Sequence, residues 1–393
     1  MNDATLLEPS AANAKPATLR ELDTPCLVLD RDRMEGNIAR LRGRLARFDV
    51  ALRPHLKTAK SVEVARAVMS SPAGPATVST LQEAALFAAA GVRDMIYAVG
   101  IAPAKLARVL ELRAEGVDLA VVLDTVEQAE AVAAASRRAG VKIPALIEID
   151  CDGHRSGVQP TDAARLLAIG RALDGPAELR GVLTHAGGSY AARSAAALQQ
   201  CAEAERRGVV DAAAILREAG LPCPVVSVGS TPTAHHVTDL TGVTEVRAGV
   251  FVFFDLVMAG VGVCAIEDIA LSVLATVIGH QREKGWILID AGWMAMSQDR
   301  GTARQAVNQG YGLVCDIAGV PYRDVILVDA NQEHGVIALR PGADAALPKL
   351  AIGDRVRILP NHACSTAAQH RSYHVVRGGS DRVEAEWPRF GGW

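Results

Sequence analysis

Eight short apolar runs, most of them followed by an amphipathic helical stretch, restrict the fold of this chain more than any other feature. The runs are Ala51–Lys57, Ala76–Thr80, Asp94–Val99, Asp118–Asp124, Pro144–Asp150, Arg180–Ala186, Pro224–Ser230 and Glu245–Phe251. Between them, Ser61–Met69, Gln82–Ala90, Ala104–Glu115, Thr125–Ala139, Asp162–Leu173 and Ser194–Ala219 carry apolar residues near helical spacing. Strands alternating with helices call for a parallel sheet, and eight such units are the number that closes a barrel. The spacing predicts a (βα)8 barrel of the TIM type over residues 31–265, its last helix missing or short. An open doubly wound sheet competes, but no Gly-x-Gly-x-x-Gly turn follows an early strand.

Beyond residue 265 the texture changes. Ile269–Ile278, Trp286–Ile289, Val325–Val328, Gly335–Leu339 and Arg355–Leu359 read as strands separated by Gly, Pro and Asp turns, so residues 266–393 are expected to form a mostly antiparallel β domain. Within residues 1–30, the run Cys26–Asp30 is expected to join that domain, and the first 18 residues read as a loose arm. A chain of 393 residues suits two or three domains. Aromatic residues are only 4% of it, so Ala, Val, Leu and Gly must build the core. The 41 basic and 44 acidic residues form no basic stripe, so no nucleic-acid partner is expected. Seven scattered cysteines without a Cys-x-x-Cys pair argue against a disulfide framework and for a reducing cytoplasm. No secretory signal is visible over Met1–Leu19. Ala248–Ile266 is apolar except for Asp255, and reads as a buried strand followed by a loop. A membrane span would strand that acid in the bilayer, so no membrane partner is expected.

Unusual polar residues gather at the C-terminal ends of the predicted strands, where a βα barrel carries its chemistry. Arg53, His55 and Lys57 alternate onto one face of the first strand. A lysine there, partly desolvated among cations, suits a Schiff-base nucleophile; the plain alternative is a snorkelling surface lysine. Lys60 is a rival, placed where a helix should start and expected to be solvated. Gly229-Ser230-Thr231 can present donors to a phosphate or form an ordinary turn, and Gly249 with Val250 offers a second set of backbone donors. Arg247, inside an apolar strand, needs a partner: Glu245 or a cofactor atom. Arg155 sits in a Gly-flanked loop, as a binding group or a solvated arginine. His185 can stack on a planar ring or be a bonded core histidine. In the β domain, continued extension after Arg355–Leu359 would project His362 and Cys364 to one side, an imidazole and thiolate suited to Zn²⁺. Two ligands leave positions open for water and substrate, the catalytic arrangement; an ordinary His and a buried Cys are the alternative. Glu333 and His334 lie in a second polar run, as acid/base groups or in a solvated turn.

The order Arg53-Pro54-His55, Lys57-Thr58, Gly153-His154-Arg155-Ser156-Gly157, Thr184-His185, Gly229-Ser230-Thr231, Val246-Arg247-Ala248-Gly249 and Pro360-Asn361-His362-Ala363-Cys364 resembles the fold type III pyridoxal-phosphate (PLP) enzymes related to alanine racemase. Within them it is most similar to the zinc-dependent D-serine dehydratase and D-threonine aldolase group, over about Leu22 to Trp393. The resemblance implies that Lys57 carries PLP and that His185 packs on its ring. Gly229, Ser230 and Thr231 would hold the phosphate, with backbone help near Gly249 and Val250. Either Arg247 or Arg155 would approach the pyridine nitrogen, the racemase pattern favouring Arg247. His362 and Cys364 would bind Zn²⁺. The aldolases of the group typically carry His-x-Asp at that place, so the thiolate points to β-elimination. The implied activity is dehydration of a D-configured β-hydroxy amino acid, D-threo-3-hydroxyaspartate or D-serine, to a 2-oxo acid and ammonia; retro-aldol cleavage is the alternative. A homodimer is also implied. Arg300 and Arg304 are candidate anchors for a second substrate carboxylate, or a solvated charge cluster.

Overall fold

The computed structural model describes residues 17–393, so most of the expected arm lies outside the described residues. Strand β1 (Cys26–Asp30) is followed by eight strands, β2 (Ala51–Pro54), β3 (Ala76–Val78), β4 (Asp94–Gly100), β5 (Asp118–Leu123), β6 (Pro144–Ile149), β7 (Glu178–Thr184), β8 (Val225–Val228) and β9 (Glu245–Ala248). These eight form one parallel sheet in the order β2-β9-β8-β7-β6-β5-β4-β3. A parallel bridge between His55 and Thr77 brings its two edge strands together, with the Leu56 N–H donating to Thr77 O at 2.8 Å. Strands β5 and β6 are buried along nearly their whole length, because helices cover the outside and side chains fill the inside. One interior layer is ionic. Arg53 reaches Glu245 at 2.7 Å and Asp94 at 2.6 Å, which binds β2, β9 and β4 across the barrel. Hydroxyls at the strand exits start several helices. Thr80 Oγ1 accepts the Glu83 N–H at 2.9 Å, and Thr125 Oγ1 accepts the Gln128 N–H at 3.1 Å.

Helix Arg31–Leu45 is not apparent from the βα count, since it precedes the first barrel strand. It covers the place of the short last helix. Asn37 donates to Asp268 O at 2.8 Å, and the Arg40 guanidinium stands 5.5 Å from the Phe254 ring. Ala248–Ile266 is not a strand and loop but the end of β9, a turn at Val250–Val252 and a short helix, Leu256–Val261. Asp255 is the reason: its carboxylate caps that helix through the Met258 N–H at 2.9 Å. No helix among the described residues is long and apolar enough to cross a membrane.

The remaining strands are β10 (Leu271–Gln281), β11 (Trp286–Ile289), β12 (Gly312–Cys315), β13 (Pro321–Ala330), β14 (Gly335–Leu339), β15 (Arg355–Pro360), β16 (Ser372–Val376) and β17 (Ala385–Pro388). With β1 they make a nine-stranded, mostly antiparallel sheet. In it β1 runs antiparallel to β10 and parallel to β16.

Candidate active site

The strand ends of the barrel and one edge of the β domain enclose a cavity of about 620 Å³. Lys57, Arg155, His185, Gly229, Ser230, Thr231, Arg247, Gly249, Val250, His362 and Cys364 all line it.

On the barrel wall, β2 ends at Pro54, and the His55 N–H then donates to Ala248 O at 2.7 Å, which fixes the chain entering Lys57. The Lys57 amine makes no hydrogen bond or ion pair among the described residues. Two glycines permit this packing. A Cβ on Gly249 would stand 2.9 Å from His55 O, and one on Gly229 would stand 1.8 Å from Arg247 O. His185 Nδ1 lies 2.7 Å from Gly229 O. Burial, with Lys57 and Arg247 nearby, lowers the His185 pKa to about 4, so the imidazole is neutral and Nδ1–H is the donor. Arg247 is 5% exposed and donates through Nε to Ser227 Oγ at 2.8 Å and through Nη2 to Thr184 O. Glu245 is not its partner: that carboxylate is taken by Arg53 and Ser227. Arg247 Nη1 makes no protein hydrogen bond among the described residues. The Arg155 side chain is 60% exposed and pairs with Glu148 at 3.3 Å. The Ser230 hydroxyl is used as a helix cap, 2.9 Å from Thr233 Oγ1 and 3.1 Å from Ser189 Oγ, whereas that of Thr231 makes no hydrogen bond among the described residues.

On the β-domain wall the chain is not extended through the His-x-Cys pair. His362 keeps strand-like angles but caps the short helix Ala363–Ala367, so Cys364 sits in its first turn. The two still face each other. His362 Nδ1 bonds Asp299 Oδ2 at 2.7 Å, which leaves Nε2 toward Cys364. Cys364 Sγ lies 3.2 Å from Thr58 Oγ1, the residue after Lys57. Burial opposes charge on the imidazole, but Asp299 and Cys364 outweigh it and raise its pKa to about 11. Burial likewise raises the Cys364 thiol, yet His362 and Lys57 prevail and lower it. An oriented imidazole beside a thiolate is the donor set a soft divalent metal takes, and a carboxylate on the far ring nitrogen is the usual support of such a ligand. No cluster of three or more His, Cys, Asp or Glu among the described residues is placed to hold a metal, so a metal here would keep open positions.

Comparison with known proteins gives the family of the chain. Residues 29–257 match the model of "Alanine racemase, N-terminal domain", and residues 270–376 match that of "Putative serine dehydratase domain". The chain belongs to the alanine racemase-like family. Its fold is fold type III, the barrel and β domain of that family. Within it, the chain is 56% identical to the D-threo-3-hydroxyaspartate dehydratase of Delftia sp. (strain HT23), over 96% of this chain and 99% of that one. Crystal structures of that dehydratase and of a cysteine-to-alanine mutant in the metal-free form each superpose with a TM-score of 0.93 at 55% identity, covering 96% of this chain and 100% of theirs. A D-threonine aldolase of Arthrobacter sp. is 31% identical over 97% of this chain and 95% of its own.

Some residues of this racemase-like site escaped sequence reasoning. Glu205 is buried on helix Ala195–Glu218, and one of its oxygens accepts the Gly229 N–H at 2.9 Å and the Ala186 N–H at 3.1 Å. It therefore sets the ends of β7 and β8 together. Its signal was present: it falls on the buried stripe Leu198, Ala202, Val209, Ala212. Asp299 lies 63 positions from His362 and carries no local signal. Asp255, read only as an interruption, also accepts the Ala363 N–H at 2.9 Å and so ties the barrel to the His-x-Cys turn. Lys60 is not solvated but pairs with buried Glu83 at 3.1 Å. Glu333 and His334 lie in an exposed turn away from the cavity. Arg300 packs on the Tyr311 ring outside the cavity, whereas Arg304 lines it.

Proposed function

We propose that this chain is a PLP- and zinc-dependent dehydratase of a D-configured β-hydroxy amino acid, D-threo-3-hydroxyaspartate or D-serine, releasing a 2-oxo acid and ammonia. The observation that carries the reading is the 3.2 Å approach of Cys364 Sγ to Thr58 Oγ1, which sets the His-x-Cys pair beside the free amine of Lys57. One wall can then work on the α-carbon and the other on the β-hydroxyl of one substrate. When bound, PLP supplies an electron sink for negative charge at the α-carbon, and Zn²⁺ supplies Lewis-acid polarisation of the departing hydroxyl. Lys57 would hold the cofactor and then take the α-proton. Neutral His185, anchored on Gly229 O, would cover the ring. Thr231, with the backbone at Gly229, Ser230, Gly249 and Val250, would hold the phosphate. We assign the pyridine nitrogen to Arg247, because its Nη1 is unpaired while Arg155 is mostly exposed and held by Glu148. An arginine there would leave that nitrogen unprotonated. His362 and Cys364 would hold the metal, Asp299 keeping Nε2 aimed at it.

In this reading residues 31–265 bind the cofactor, residues 266–393 bring the metal, and the strand within 1–30 belongs to the β domain. A cytoplasmic homodimer completes it. The likeness to a D-threonine aldolase supports one second reading, retro-aldol cleavage. Product analysis separates them. D-threo-3-hydroxyaspartate should yield ammonia and oxaloacetate, and a strong chelator should stop the release. Glycine and glyoxylate instead would overturn the dehydratase in favour of the aldolase.

A further inference from the structure

The charges around the cavity do not balance. Its three carboxylates are each engaged: Glu148 by Arg155 and Ser156, Asp255 by two backbone N–H groups, and Asp299 by His362. Of the four arginines lining it, Arg155 is ion-paired and Arg247 is fixed deep in the barrel. The other two, Arg193 and Arg304, pair with no acid among the described residues. The segments that carry them are joined. Arg193 donates to Ala192 O at 3.1 Å and to the backbone oxygen of Arg304 at 3.4 Å. Two cavity-lining guanidinium groups on adjoining segments, neither paired with an acid, are suited to one anion.

Their place in the chain says which end of a substrate they meet. Arg304 ends the short helical turn Gly301–Arg304, which begins two residues after Asp299. That segment is stapled beside His362: Asn361 donates to Asp299 O at 3.1 Å and accepts from Thr302 Oγ1 at 2.9 Å. Arg304 therefore stands on the His-x-Cys wall, where the β-carbon would lie, and Arg193 reaches the same segment from the loop after β7.

We propose that Arg193 and Arg304 anchor a second carboxylate on the substrate β-carbon, so that the preferred class is the β-hydroxy dicarboxylic D-amino acids over D-serine. This rests on the lyase reading above. The test compares ammonia release from D-threo-3-hydroxyaspartate and from D-serine by the PLP- and zinc-loaded protein and its Arg304→Met and Arg193→Met variants. A charge-assisted pair lost from a binding site is expected to lower the ratio of the two kcat/KM values by about tenfold or more in each variant. Arg304→Lys should recover part of the ratio. A ratio that stays constant, whether both substrates suffer equally or neither does, overturns the proposal. A calorimetric arm needs no turnover. D-malate and D-lactate lack the amine that would react with the cofactor and differ by one carboxylate. Wild-type protein should bind D-malate tighter, and Arg304→Met should close that gap; an unchanged gap overturns the anchor. If wild-type protein releases no ammonia from either amino acid, the lyase reading fails while the calorimetry still decides the anchor.

Discussion

His185 and His362 face one cavity from opposite walls, and their environments drive them in opposite directions. On the barrel wall, burial beside Lys57 and Arg247 lowers the His185 pKa to about 4. On the β-domain wall, Asp299 and Cys364 overcome burial and raise that of His362 to about 11. Cations around His185 keep its imidazole neutral, whereas Asp299 and Cys364 favour positive charge at His362, as they would at a metal cation. The difference teaches how one cavity can hold an anionic cofactor phosphate and a divalent metal without the two sites competing for the same side chains. Two separate sheets make the separation possible, and Asp255 joins them by capping a barrel-side helix while accepting the Ala363 N–H.

The strongest way to break this comparison is to empty one wall and read the other. Lys57→Ala should remove the visible absorbance of bound cofactor and lower turnover by about 10⁴-fold, the upper range for a proton-transfer residue. Metal content, measured by atomic absorption, should not change. If metal is lost together with the cofactor, the walls are not separable. The converse variant, Cys364→Ala, should lose metal and about 10²–10³-fold in turnover, the range for removing one electrostatic stabiliser of a departing oxygen. Its cofactor absorbance should match that of the unsubstituted protein.

These two positions were also the most legible in the sequence, and the reason is local. Lys57 follows an alternating strand, and His362 and Cys364 lie two positions apart, so each shows its geometry within a short window. The eight strands were legible because a parallel barrel strand is buried on both faces and shows as an unbroken apolar run. Helix Arg31–Leu45 was not, since its packing place is fixed by the far end of the barrel near Phe254 and Asp268. The turn at His362 was hidden too, because the cap that ends β15 depends on Asp255, 108 positions away in the chain. Arg193 carries no local signal, and only the fold sets it against the backbone of Arg304.

Asp299 tests the support beneath the second wall. Asp299→Asn keeps the shape and a hydrogen bond but removes the charge on His362 Nδ1. Losing such an outer partner typically costs about 10–100-fold in metal affinity or activity. A chelator titration should show that loss, with the cofactor spectrum untouched. A variant that binds metal as tightly as the unsubstituted protein would mean that Asp299 does not orient the ligand.

The smallest expected effect concerns acid. His185 has a folded-state pKa lowered to about 4, against 6.5 ordinarily. Between those values the unfolded chain takes a proton that the folded chain refuses, so stability is full above pH 6.5 and falls as pH drops toward 4. A shift of this size corresponds to about 3 kcal/mol, or several degrees of Tm. His185→Gln removes the titrating group, so its melting temperature should fall less than that of the unsubstituted protein between pH 7.5 and pH 4.5. His235 is a control outside the cavity. It is also lowered to about 4, by burial first, and its ring packs near Phe251 and Phe254. His235→Gln should blunt the acid response in the same direction while leaving the cofactor absorbance unchanged, whereas His185→Gln should perturb that absorbance. If both variants follow the unsubstituted protein through the acid range, the barrel wall does not hold its histidine neutral. The contrast with His362 would then have to come from the β-domain wall alone.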